Sequence, residues 1–270
     1  MTTLTIRLLA LCLVQCISKQ MKIDMNIEIY APKYIEEIGA NAEKQENALL
    51  PKPDIETDND RLFIICDAKG KDGCGDVVSQ SLCSALGRWF KENVAEGEPV
   101  EDGQLKQVLE DVCKELKEQE ANKDKNIRLS MALLYLHRDS ATIAHIGDCR
   151  IYHARAKKSK PLLHWFKKNY EVLYESVDQP EIRLGKTDCL NPEVVHITDI
   201  QPNDVFSMCN AGMLEMDEIG EETFISCIMS DKIGVMNPKE ADLNYFKEEI
   251  VRILCMYNHS AWIVKIKNVL

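Results

Sequence analysis

The chain is predicted to be a layered α+β domain, on three observations. A continuous apolar run, Leu62 to Ile65, has the signature of a strand buried on both faces. Two amphipathic helical stretches follow, one ending near Asn93 and one carrying Leu105, Val108, Leu109, Val112 and Leu116 on one side. The period then changes to that of strands, Leu129 to His137 and Ala141 to Ile146, joined by the turn His137-Arg138-Asp139-Ser140. A helix pair followed by a strand meander indicates stacked layers, not alternating βαβ units.

Taken in order, Met1 to Gln20 sets Arg7 before the apolar run Leu8 to Val14, which is too short to span a bilayer. The run resembles a signal-peptide core, and Leu13-Val14-Gln15-Cys16 has the outline of a lipoprotein cleavage site, with Gln15 bulkier than such a site wants. Residues 1–24 are therefore read as an N-terminal extension, with Met1, Met21 or Met25 as the start. Residues 25–270 are read as one domain, because no repeat or low-complexity tract divides them.

Met25 to Tyr30 alternates like a strand, and Ala40 to Glu46 is a polar stretch. Pro51, Pro53 and Asp58-Asn59-Asp60 mark a turn before the central strand. Cys66 and Asp67 end that strand, leaving a carboxylate at its exit, and Gly70, Gly73 and Gly75 form a loop into the first helix. Val78, Leu82, Ala85 and Trp89 recur there at helical spacing. Glu96 to Gly103 connects to the second helix, which ends at Asn122 to Asn126. Cys149 to Ala154 is a further strand, with Leu162 to Phe166 as its expected partner, and Asn169 to Asn191 reads as a surface segment. Strands at Val194 to Ile197 and Val205 to Met208 flank the turn Gln201-Pro202-Asn203-Asp204. Helices are expected over Glu221 to Met229 and around Leu243, Phe246, Ile250, Ile253 and Leu254, and Ala261 to Ile266 closes the chain as a strand.

A chain of 270 residues, 45% apolar and 29% charged, can bury a sizeable core. Its formal charge of −11 argues against a nucleic-acid partner, which needs a basic footprint. Arg155, Lys157, Lys158 and Lys160 are the one basic cluster, read as a solvated hairpin tip. The 11 cysteines include Cys66, Cys209 and Cys255 within apolar runs, and no paired C-x-x-C occurs. Reduced thiols in the cytoplasm are the simplest reading, with export or lipid anchoring as the alternative if residues 1–20 are a signal.

The glycine loop reads G-x-x-G-x-G, which is not the dinucleotide fingerprint, and Asp67, Asp72 and Asp76 crowd it with charge that would repel a bare phosphate. A metal between acid and phosphate would resolve that conflict. His145, Cys149 and His153 are evenly spaced, but strand residues four apart lie roughly 13 Å from one another. One zinc cannot gather them. Neither a G-x-S-x-G elbow nor a P-loop occurs.

Five segments in order resemble the PPM-type (type 2C) metal-dependent serine/threonine protein phosphatases, over about Met25 to Val269. Gly39 to Asn47, GANAEKQEN, is similar to G-x-R-x-x-N-Q-E-D, and Cys66 to Asp76, CDAKGKDGCGD, to D-G-M-G-G-H-x-x-G-E. Ala144 to Tyr152, AHIGDCRIY, is similar to A-H-x-G-D-S-R-x-Y and is the most specific match. Cys209 to Glu215, CNAGMLE, is similar to C-S-D-G-M-L-E, and Tyr257 to Ser260, YNHS, to D-N-x-S. The resemblance implies a four-layer αββα sandwich of two antiparallel sheets flanked by helices. It also implies two Mn²⁺ or Mg²⁺ ions bridged by an Asp and a water that attacks the phosphoester, with an Arg gripping the phosphate.

Carried over by position, Asp67 matches the bridging Asp, Glu46 its acidic neighbour and Asp148 the Asp of the G-D-S motif. The other positions depart from the pattern. Asn47, Ala211 and Tyr257 stand where metal-binding aspartates belong, Asn41 replaces the phosphate-gripping Arg, Ala68 the first loop glycine, and Leu129-Ser130-Met131 the G-T-T turn. Two divalent ions about 4 Å apart repel by about 17 kcal/mol at an effective dielectric of about 20, and carboxylates must offset that. One bridging Asp without the terminal ligands does not, so at most one weak ion is expected. The reading is a pseudophosphatase that acts by binding a phosphoprotein or an active phosphatase or kinase. The alternatives are an active phosphatase using displaced ligands such as Asp72, Asp76 or Glu215, and a nucleotide-binding regulator using the glycine loop.

Overall fold

The structure, a computed structural model, describes residues 27–39, 42–51, 61–70, 73–95, 97–119, 126–157, 170–179, 182–184, 192–214, 224–225, 228–229 and 258–270. The strands are β1 (Ile27–Ile29), β2 (Lys33–Glu37), β3 (Asn47–Leu50), β4 (Leu62–Lys69), β5 (Ile127–His137), β6 (Ser140–Ile146), β7 (Arg150–Ala156), β8 (Tyr170–Glu175), β9 (Ile182–Leu184), β10 (Glu193–Ile197), β11 (Val205–Cys209) and β12 (His259–Val269). Between β4 and β5 lie two helices, α1 (Gly75–Asn93) and α2 (Asp102–Glu118).

The strands form two antiparallel sheets. One runs β1-β12-β11-β7-β8 with β2 also on β12, and the other runs β10-β6-β5-β4-β3 with β9 also on β5. Strand alternation sorts the core into layers. Leu62, Ile64, Cys66 and Ala68 of β4 face α1 and α2, meeting Leu82, Leu86, Leu105 and Leu109. Phe63 and Ile65 face the opposite sheet, meeting Phe206, Met208, Trp262 and Val264. The far side of that second sheet buries Ile35, Tyr152 and Cys209 against Phe224, Ile225, Ile228 and Met229, where 224–225 and 228–229 have helical backbone. The expected sandwich of two antiparallel sheets flanked by helices is thus observed, and β4 reads as a continuous apolar run because both its faces are covered.

Several elements differ from expectation. β4 continues past Asp67 to Lys69, because its ladder with β5 runs unbroken to Lys69 opposite Arg128. Asp67 therefore sits within a strand, not at its exit. The partner of β7 is Tyr170–Glu175, inside the segment read as surface, and Lys33–Glu37 is a strand that the polar pattern did not signal. Arg155 is no solvated tip: it forks onto the buried Asp204 through Nε at 2.7 Å and Nη2 at 2.8 Å. The segment 162–166, the helix around 243–254 and Cys255 lie outside the described residues. No helix among the described residues is long and apolar enough to cross a membrane.

A polar string also joins α2 to the sheet below it. His137 Nε2 meets Thr142 Oγ1 at 2.9 Å, Thr142 meets His196 Nδ1 at 3.1 Å, and His196 Nε2 meets Asp102 in the first turn of α2 at 2.6 Å. The three residue types suit nucleophilic catalysis, but Thr142 is fully buried and offers no face to a substrate.

Candidate functional site

The site lies at one end of the inter-sheet layer, where β3 and β4 meet β11 and β12. Asp67 shares the face of Phe63 and Ile65 and is 4% exposed. Register places Asn47 of β3 opposite it on one side and Ser130 of β5 on the other. From the second sheet, Asn210 Nδ2 donates to Asp67 Oδ2 at 3.0 Å and to the Asn258 carbonyl at 2.9 Å. The Ser260 backbone N–H donates to Asn210 Oδ1 at 3.0 Å, which fixes the amide's orientation and points its NH₂ group at the carboxylate. Asn47 Nδ2 donates to Ser260 Oγ at 3.0 Å. Asn258 is committed elsewhere, accepting from Gly39 N–H and donating to the Lys44 carbonyl. The two sheets are thus joined here by side-chain amides around one carboxylate.

Lys69 Nζ is 3.7 Å from Asp67 Oδ2. Burial pushes the Asp67 carboxyl above the ordinary aspartate range, Lys69 and the Asn210 amide pull it back, and the charge of Asp148 adds to the rise. Glu46 is also raised, first by burial and further by the charge of Asp67, against a hydrogen bond from the Gly75 N–H. Its carboxylate therefore caps the start of α1. Gly75 is required there: a Cβ on it would come 1.9 Å from the Ala68 carbonyl oxygen and 2.9 Å from Glu46 Oε1. Asp148 follows Gly147, which has φ +77°, and the Asp148 N–H donates to Ser130 Oγ at 3.3 Å.

The retained acidic residues Asp67, Glu46 and Asp148 are thus brought to one region, close enough that the charges of Asp148 and Glu46 are both coupled to that of Asp67. Ala68 is buried in the helix-facing layer, and Ala211 begins a buried 3₁₀ turn, Ala211–Met213. Asn41, Tyr257, Asp72 and Glu215 lie outside the described residues. His145, Cys149 and His153 do not converge. His145 bonds the Val177 carbonyl at 2.8 Å, Cys149 is buried between the sheets, and His153 bonds Asp204 while stacking on Phe206.

Among the described residues, the groups in contact with Asp67 do not supply the oxygens that a pair of divalent ions wants. Mn²⁺ and Mg²⁺ want several anionic oxygens, and the neighbours that reach Asp67 are an NH₂ group and an ammonium. Two oxygens, Asp67 Oδ1 and Asn47 Oδ1, are buried without a hydrogen-bond partner, and only one of them belongs to a carboxylate. Among the described residues no three His, Cys, Asp or Glu side chains form a metal-binding group. Position-by-position reading did not give Asn210, Ser260 and Lys69 their parts in the network. Lys69 was within reach of it, two residues beyond Asp67, had the strand been extended.

No family model and no curated protein matches the chain. Solved structures do. PppA of Pseudomonas aeruginosa, described as a key regulatory component of T6SS, superposes with a TM-score of 0.63 at 18% identity, over 89% of this chain and 99% of its own. The catalytic domain of the serine/threonine phosphatase PstP in complex with two manganese ions gives 0.64 at 14% identity, over 89% and 99%. Stp1 of Staphylococcus aureus, a serine/threonine phosphatase, gives 0.61 at 14% identity, over 91% and 98%. The chain has the fold of the PPM-type serine/threonine phosphatases.

Proposed function

We propose that the chain is a pseudophosphatase, a PPM-type fold that acts by binding a protein partner and not by hydrolysing a phosphoester. The observation that carries this reading is the orientation of Asn210. Its NH₂ group is held against Asp67 by the Ser260 N–H at its oxygen, so the direction from which an anionic ligand would complete a metal site presents hydrogens instead. Asn47 adds a neutral amide where a second charge is needed. Asp67, Glu46 and Asp148 are then remnants of a metal site that hold at most one weak Mn²⁺ or Mg²⁺ ion. The partner is a phosphoprotein or an active phosphatase or kinase, and the setting is cytoplasmic signalling.

One observation favours the rival reading of an active enzyme: the two partnerless buried oxygens, Asp67 Oδ1 and Asn47 Oδ1, are acceptors that a cation would satisfy. A nucleotide regulator has less support, because Glu46 already occupies the Gly75 N–H that a phosphate would use.

Turnover separates the two main readings. With millimolar Mn²⁺, hydrolysis of p-nitrophenyl phosphate by the full chain is expected at buffer background and unchanged by Asp67→Asn. Mn²⁺-dependent turnover that Asp67→Asn abolishes would establish the enzyme.

A further inference from the structure

Period two along β4 sets Asp67 and Lys69 on one face, beyond Phe63 and Ile65 of the inter-sheet layer. Lys69 Nζ lies 3.7 Å from Asp67 Oδ2, the oxygen that also accepts from Asn210. The carboxylate is 4% exposed and the lysine side chain 36%, so the stem runs along the rim and the ammonium reaches inward. The approach belongs to the strand: Asp67 is in register with Ser130 and Lys69 with Arg128, which adds a second cationic residue at the same rim.

We propose that Lys69 is the built-in cation of this site: its ammonium, in place of a divalent metal, balances Asp67, and its charge keeps metal out. The inference rests on the reading above that the centre does not hydrolyse phosphoesters. An ammonium and a divalent ion beside the same carboxylate stand about 4 Å apart, and even fully screened by water their repulsion weakens metal binding by roughly tenfold or more. Sequence supplies the same contrast, since the D-G-M pattern that Asp67-Ala68-Lys69 resembles has an uncharged side chain where Lys69 stands. Asp67 Oδ1 and Asn47 Oδ1, the two partnerless oxygens, are the acceptors a metal would take once that charge is gone.

The test is Mn²⁺ uptake by the full chain, read from the electron paramagnetic resonance signal of free Mn²⁺. Wild type and Lys69→Arg are expected to leave the ion free at concentrations where Lys69→Met and Lys69→Gln take up one. That uptake is expected to be at least about tenfold tighter than in wild type and lost on adding Asp67→Asn. Two neutral variants are used so that poor folding of one does not decide the matter. If neither folded neutral variant binds Mn²⁺ more tightly than wild type, the inference fails while the pseudophosphatase reading stands. If wild type itself takes up two ions and turns over a phosphoester, that reading fails with it.

Discussion

Asp204→Ala is expected to destabilise the chain by about 3 kcal/mol, the low end for breaking a buried ion pair, because Arg155 keeps its contacts to Asp199. Asp204 is fully buried at the end of the second sheet and accepts from Arg155 Nε and Nη2, from His153 Nε2 at 2.8 Å and from the Gln201 N–H at 2.9 Å. Removing the carboxylate leaves the Arg155 guanidinium, whose side chain is 16% exposed, with only its contacts to the Asp199 carboxylate at 3.1 Å and carbonyl at 2.7 Å, and frees the imidazole that stacks on Phe206. The same residue sets an acid limit. Burial alone would raise its carboxyl, but the Arg155 fork, His153 and the Gln201 N–H outweigh that and hold it below the ordinary range. Its contribution is therefore present above the unfolded value of about 4 and is lost as pH falls below it toward the depressed folded value. Urea unfolding followed by far-UV circular dichroism should show wild type losing stability across that window and the variant losing less. A cost under about 1 kcal/mol would mean that the pair is only a surface contact.

Gly147→Ala is expected to cost about 2–5 kcal/mol, from roughly 1–2 for a side chain at positive φ and roughly 1–3 for overlap. Gly147 has φ +77°, and a Cβ there would lie 2.2 Å from Ser130 Oγ and 3.1 Å from Ser130 Cα, the latter part of a strand that cannot retreat. The variant should unfold at lower urea with an unchanged denaturant slope. Full stability in the variant would show that the turn relaxes freely. The glycine answers a structural need here, the tight turn from β6 into Asp148 and β7, which persists whether or not the chemistry does.

This separation explains what was legible. The segment Ala144 to Tyr152 was readable because strand alternation and a backbone-imposed glycine write themselves directly into residue type. The run Leu62 to Ile65 was readable because both its faces are covered. Its extension to Lys69 was not, since Cys-Asp-Ala-Lys carries little strand propensity and is held by its ladders, with β5 along all four residues and with β3 at Cys66 and Asp67. β2 and β8 were missed for a related reason: KYIEE is mostly half-buried and charged, YEVLYE is largely solvent-facing, and only their partners β12 and β7 make them strands. At the site, the loss of carboxylates could be read position by position. The amides that took over could not, because Asn47 meets Ser260, and Asn210 meets Asp67, only across the two sheets, and no local pattern encodes a contact such as that of Asp67 and Asn210, 143 residues apart.

The most direct test of the account is anomalous diffraction at the manganese edge from crystals of the full chain soaked in Mn²⁺. The account predicts no pair of peaks beside Asp67, with Asn210 Nδ2 still within hydrogen-bond distance of its carboxylate. Two peaks about 4 Å apart there, with the amide displaced, would contradict it.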